Sequence, residues 1–136
     1  MIVTHARRKE RAPIYVSIVS ANPETLDGLH AYLEGAGVSS HCARAVRDLE
    51  TVAPRRATAT VLFPDDFEDD EVLALIKRLR RARPRLFSLI VTRAPQRFHD
   101  VAKPDGRSLP PIMLPKPSFG WDILDAIRAQ AEAEEV

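Results

Sequence analysis

Six carboxylates crowd into seven residues at 65–71: Asp65, Asp66, Glu68, Asp69, Asp70 and Glu71. A little further on, Lys77, Arg78, Arg80, Arg81, Arg83 and Arg85 crowd together with the opposite sign. Acids at that density could hold a cation, and bases at that density a polyanion. The acidic run lacks the alternating ligand spacing and central glycine of a calcium loop. It reads instead as a solvated loop that charges the N-terminus of the next helix. The basic run reads first as that helix's charged outer face, with contact to nucleic acid or an acidic protein as the functional alternative. Its candidate patch is Lys77, Arg78, Arg80 and Arg81. His5, His30, His41 and His99 show no paired ligand spacing, and Cys42 has no second thiol to join it. It is expected as a small buried residue at a strand end. No serine stands in a nucleophile-elbow motif, and the 5 glycines form no loop that could cradle phosphate. These residue types assign no catalytic group, no metal and no cofactor.

Composition narrows the partners further. The chain has 136 residues, a length for one domain with a real core. Its 20 basic and 19 acidic side chains cancel, so bulk charge selects nothing. Nucleic-acid binders usually carry a larger positive excess and interleaved aromatics, and aromatics here are 6%. No apolar run approaches the roughly 20 residues needed to span a bilayer, so no membrane insertion is expected. A single cysteine fits a reducing cytoplasm. Residues 1–13 carry Arg7, Arg8, Lys9 and Arg11 with no apolar segment behind them. They are expected to form a flexible basic arm and not a signal peptide. The domain is expected over 14–131, with 132–136 as an acidic tail.

Whatever chemistry exists must be positioned by alternating short apolar runs and amphipathic stretches. Strands are predicted at 14–19, 38–42, 57–63, 87–91 and 112–114. Asn22-Pro23-Glu24 reads as a helix start, with Asn as cap and Pro where its missing N–H costs nothing. Leu26, Leu29 and Leu33 share a face, and Gly35 or Gly37 ends that helix. Val46, Leu49 and Ala53 mark a second helix, closed by Pro54. Val72, Leu75, Ile76 and Leu79 repeat at i, i+3, i+4 and i+7 in the clearest helix, which Pro84 terminates. A short helix is predicted near 96–101, and a last one at 121–131 with Ile123, Leu124 and Ile127 inward. Alternating strands and helices imply parallel βαβ units with both sheet faces covered.

Lys116-Pro117 after the fifth strand, Thr92 ending the fourth, and the strand–Asn-Pro-Glu–helix opening together resemble the receiver domains of bacterial response regulators. The resemblance spans about 14–129. It implies an α/β, flavodoxin-like, doubly wound five-stranded parallel sheet of order 2-1-3-4-5, with the site at the strands' carboxyl ends. It also implies a cis peptide at Lys116-Pro117. In that family an acidic pair binds Mg²⁺, an aspartate accepts phosphate, and a threonine and a lysine sense it. Here the acidic pair falls on Ser20 and Ala21, and the acceptor on Pro64. Thr92 and Lys116 match the threonine and lysine. The aromatic or histidine often found in the fifth strand falls near Met113 or Leu114.

Mg²⁺ needs hard oxygen ligands, which Ser20 and Ala21 do not supply, and proline has no nucleophile. The expectation is therefore a degenerate receiver, not an enzyme, that docks onto another signalling protein without phosphorylation. Lys116 would pair with Asp65 or Asp66 or stay exposed. The family signals through the face of its fourth helix, fifth strand and last helix, which implies a partner face of Arg93, Phe98, Pro111 and Trp121. For Trp121, packing under Phe119 is the alternative. Two other functions stand behind this one. The chain could bind nucleic acid through the basic helix and arm, or a one-residue shift could leave phosphorylation at Asp65 or Asp66. A homodimer is left open.

Overall fold

Along the central strands, odd and even positions face different layers. The structure, a computed structural model, describes residues 13–49 and 57–135. Val16 and Ile18 of β1 (Tyr15–Val19), Ala59 and Val61 of β3 (Ala59–Leu62), and Leu89 and Val91 of β4 (Phe87–Thr92) enter one core. Val19, Leu62 and Ile90 enter the other. Successive strand residues point to opposite faces, so a sheet apolar on both must be covered on both. With β2 (Ser39–Ala43) and β5 (Ile112–Pro115) at the edges, the order is β2-β1-β3-β4-β5, parallel throughout. This is the flavodoxin-like order expected from the sequence.

Helix α1 (Pro23–Gly35) and helix α3 (Gly120–Glu135) cover the first face with Leu26, Leu29, Leu33, Ile123, Leu124 and Ile127. Asn22 caps α1 as predicted: its Oδ1 accepts from the Glu24 and Thr25 amides at 2.9 and 3.4 Å. Gly37, not Gly35, makes the exit, because its φ of +82° is a conformation other residues avoid. The Val38 amide then donates to the Leu33 carbonyl at 2.8 Å. Helix α2 (Asp69–Ala82) covers the second face with Val72, Leu75 and Ile76, while Leu79 is partly exposed. Its first turn holds Asp69, Asp70 and Glu71 and its last turn Arg80 and Arg81, each sign at the matching dipole end.

The helix proposed near 46–53 is described only at its start: a 3₁₀ turn at Val46–Asp48 passes into α-helix at Leu49, and Ala53 and Pro54 lie outside the described residues, as do 1–12 of the basic arm. Two other predicted elements differ. The helix proposed at 96–101 is two 3₁₀ turns, Pro95–Phe98 and Asp100–Ala102. Its apolar signal was one pair, Phe98 and Val101, three apart, which a 3₁₀ turn satisfies, and Pro104 keeps the segment from continuing as a longer helix. The acids expected as a tail from 132 continue α3 to Glu135. Among the described residues no helix is long and apolar enough to cross a membrane.

Candidate functional site

Parallel strands end on the same side, so the residues just past β1, β3, β4 and β5 meet. Val19 pairs with Leu62, and the Phe63 amide donates to the Val19 carbonyl at 3.0 Å. Phe63, packed into the α1–α3 core, therefore stands beside Ser20, and buried Pro64 opens the 3₁₀ turn Pro64–Asp66. The end of β3 offers a ring and a proline, neither of them a nucleophile.

That turn swings two carboxylates back over the strand ends. Ser20, fully buried, donates its hydroxyl to Asp66 Oδ2 at 2.6 Å, and the Ala21 amide reaches the same oxygen at 2.9 Å. On the far side, buried Thr92 donates its hydroxyl to Asp65 Oδ1 at 2.6 Å, and the Arg93 amide reaches Asp65 Oδ2 at 3.0 Å. Arg97 closes the ring with one nitrogen on Asp65 Oδ1 and the other on Asp69 Oδ1, each at 2.7 Å. The acidic run is thus not wholly a solvated loop, as the sequence reading had it. Asp65 and Asp66 are half-buried ties, and Glu68 to Glu71 remain exposed. Burial alone would raise the Asp65 carboxyl. The Thr92 hydroxyl, the Arg93 amide and the Arg97 and Lys116 charges outweigh it and hold the group below the usual carboxylate range.

Lys116 is half-buried and precedes a cis bond to Pro117, as the resemblance implied. It acts on Asp65 through space, with no ion-pair contact recorded among the described residues. Among those residues no group of three or more His, Cys, Asp or Glu is placed to hold a metal ion.

The proposed partner face does not survive as one surface. Arg93 is exposed and Trp121 is 53% exposed, but Phe98 is 0% exposed and Pro111 is buried. Phe98 belongs to the same core as Val72, Leu75 and Ile76 of α2 and Ile90 of β4. Around Trp121 a different cluster forms. Phe119 stacks on it at 4.7 Å between ring centres, and Tyr32 of α1 meets it edge-on at 6.4 Å. Gly120 permits this approach, since a Cβ there would sit 2.7 Å from the Tyr32 ring. Phe119 is 55% and Tyr32 38% exposed. Tyr32 went unnoticed in the sequence because it lies beside α1's buried leucines and off their stripe, where an isolated aromatic carries no periodic signal.

The basic patch also divides. Lys77 and Arg81 are exposed, Arg78 is half-exposed, and Arg80 is turned inward with a side chain 11% exposed. Arg80 Nε donates to Ser108 Oγ at 2.8 Å, and Nη1 donates to the Val101 and Lys103 carbonyls at 2.9 and 2.6 Å. It pins the segment that follows the 3₁₀ turns. Cys42, expected inside, is exposed on the edge strand.

No protein-family profile matches the chain, and no curated protein does. Solved structures do. A receiver domain from Clostridium thermocellum superposes with a TM-score of 0.71 at 14% identity, over 90% of this chain and 97% of that one. A CheY-like receiver domain from Methanospirillum hungatei gives 0.70 at 18% identity, over 90% and 97%. An orphan response regulator of H. pylori gives 0.68 at 12% identity, over 89% and 98%. At such identities the likeness establishes the fold, which is that of response-regulator receiver domains.

Proposed function

We propose that this chain is a receiver-fold module that binds another protein without being phosphorylated. One observation carries the reading: the Thr92 hydroxyl is already held by an internal carboxylate, Asp65, at 2.6 Å. A threonine that is free to sense a ligand must have its hydroxyl available, and this one is committed. Ser20 is committed in the same way to Asp66. The strand ends are tied by their own loop, which favours one fixed conformation in place of a switch. Pro64 and Phe63 offer no acceptor, and Ser20 and Ala21 offer one neutral side-chain oxygen where Mg²⁺ would need carboxylates. Asp65 and Asp66 are poor candidates for residual phosphorylation, because attack would break the bonds that place them.

The docking surface fits best around Trp121, Phe119 and Tyr32. Tryptophan and tyrosine in an exposed cluster supply large contact areas at small entropic cost and are enriched among binding anchors. The test has two arms. Incubation with acetyl phosphate and Mg²⁺ is expected to add no phosphoryl mass, and Mg²⁺ alone to leave the Ser20, Phe63 and Thr92 amides unshifted. Trp121→Ala is expected to weaken a partner captured from the native cell by about 1 kcal/mol or more. A stable phosphoryl adduct would overturn the phosphorylation-independent reading, and an unchanged affinity the docking surface.

A further inference from the structure

The pinning of 99–109 around Arg80 creates a cleft the sequence did not suggest. Leu73, Lys77, Arg80, Arg81 and Pro84 of α2 and its exit form one wall. Arg97, Asp100, Val101, Lys103, Pro104, Asp105 and Arg107 form the other, around about 720 Å³. Small-molecule sites fall in the range of about 300–1,000 Å³. Six of these side chains are cationic and two anionic, in a chain whose net charge is +1. The excess is therefore local.

The partners already present decide which charges are free. Arg80 faces Asp105 at 3.3 Å, and Arg97 is taken by Asp65 and Asp69. Asp100 lies 3.4 Å from Lys103, both well exposed, so that pair is weak. Among the described residues, Lys77, Arg81 and Arg107 have no recorded carboxylate partner. Asp105 is committed elsewhere: it accepts from the Arg107 and Ser108 amides, each at 2.8 Å, and from the Ser108 hydroxyl. The Ser108 and Arg107 amides draw its pKa down to about 2, so it stays ionised and neutralises Arg80 instead of the cleft's mouth. Gly106, at φ +73°, lets the backbone turn there, and the Leu109 amide ties the segment to the Pro84 carbonyl at 2.9 Å. The wall is thus tied to α2 and its exit, and the uncompensated cations are among the residues lining the cleft.

We propose that this cleft binds a small ligand bearing several phosphates, of the nucleoside polyphosphate class. Guanidinium groups match phosphate oxygens in paired hydrogen bonds, and lysine adds a mobile point charge. A cleft walled by one sign of charge also concentrates anions. Leu73 and Pro104 supply apolar lining for a ring, and no aromatic side chain of the kind on which single-stranded nucleic acid stacks lines the cleft. Arg80 is a positioning residue: Nε and Nη1 are hydrogen-bonded to Ser108, Val101 and Lys103, and Nη2 faces Asp105 as an ion pair only.

The test titrates the full chain with ATP, inorganic tripolyphosphate and a short single-stranded DNA at physiological salt, followed by amide NMR. ATP is expected to give saturable shifts confined to 73–81 and 97–107. Lys77→Glu with Arg81→Glu is expected to weaken it about tenfold or more without changing thermal unfolding; Arg107→Glu alone serves if the pair fails to fold. Tripolyphosphate equal to ATP supports recognition of phosphates alone, and tighter ATP supports reading of the ring. No saturable shift at millimolar ATP would overturn the proposal, as would charge reversals that leave affinity within about twofold. DNA displacing ATP from the same residues at lower concentration would also overturn it, in favour of a polymer surface. Trp121→Ala should leave these titrations unchanged, so this site and the protein-docking reading fail independently.

Discussion

Replacing Asp65 by alanine tests the tie that the strand ends depend on. The carboxylate accepts from the Thr92 hydroxyl, the Arg93 amide and Arg97. These three losses are unequal. Arg93 is exposed and its amide can turn to water, and Arg97 keeps Asp69. Thr92 is 1% exposed, so its hydroxyl loses an acceptor where water enters poorly. An unsatisfied buried donor costs about 1–3 kcal/mol, so Asp65→Ala should destabilise by roughly 2–3 kcal/mol at neutral pH. Thr92→Val removes the donor as well, and the double variant should cost less than the sum by about 1–2 kcal/mol. The pH dependence has a definite sign. The folded carboxyl is depressed, so its contribution is complete above the unfolded value of about 3.9 and is lost as pH falls through the folded value. Wild type should therefore lose stability faster than Asp65→Ala below about pH 4. Urea unfolding followed by circular dichroism across that range measures both effects. A loss within about 0.5 kcal/mol at neutral pH, or additive single variants, would refute the tie.

Phe98→Ala should destabilise by about 3–5 kcal/mol, because the ring is fully buried, and thermal unfolding measures it; a near-neutral result would mean the ring is a surface group after all. Leu75→Ala should cost about 2–5 kcal/mol and exposed Lys77→Ala under about 0.5 kcal/mol, a contrast that checks the rotation of α2 by denaturant midpoint. Arg80→Ala strips the pin, leaves the Val101 carbonyl without its donor and should cost about 1–3 kcal/mol. Amide exchange should then accelerate most in 99–109, and uniform acceleration would show that Arg80 does not hold that segment in particular.

Much of the architecture could be read before any coordinates, and the reason is that it rests on local periodicity. The short apolar runs at 14–19 and 87–91, the Leu26, Leu29 and Leu33 stripe of α1 and the Asn22-Pro23 start each report the backbone conformation of their own few residues. Parallel pairing follows, since a strand–helix–strand repeat has few ways to close; the strand order was implied by the resemblance to receiver domains. Where local signals were ambiguous the reading slipped: Phe98 and Val101, three apart, fit a 3₁₀ turn as well as a helix, and their exposure depended on what else covered α2. At the strand ends the sequence showed only that Ser20, Ala21 and Pro64 carry no carboxylate; that such groups would be expected there was an implication of the resemblance. What replaced them was not. Asp65 reaches Thr92 across 27 positions of chain and Asp66 reaches Ser20 across 46, and no spacing rule connects residues so distant. The same holds for Arg80, whose place in α2 gives a charged outer helix until the segment 99–109 folds over it. Sequence alone determined the strands and helices that bring Ser20, Pro64, Thr92 and Lys116 to one end of the sheet; the tertiary structure decided which charges neutralise one another and which are left free, because charge pairing depends on through-space distance.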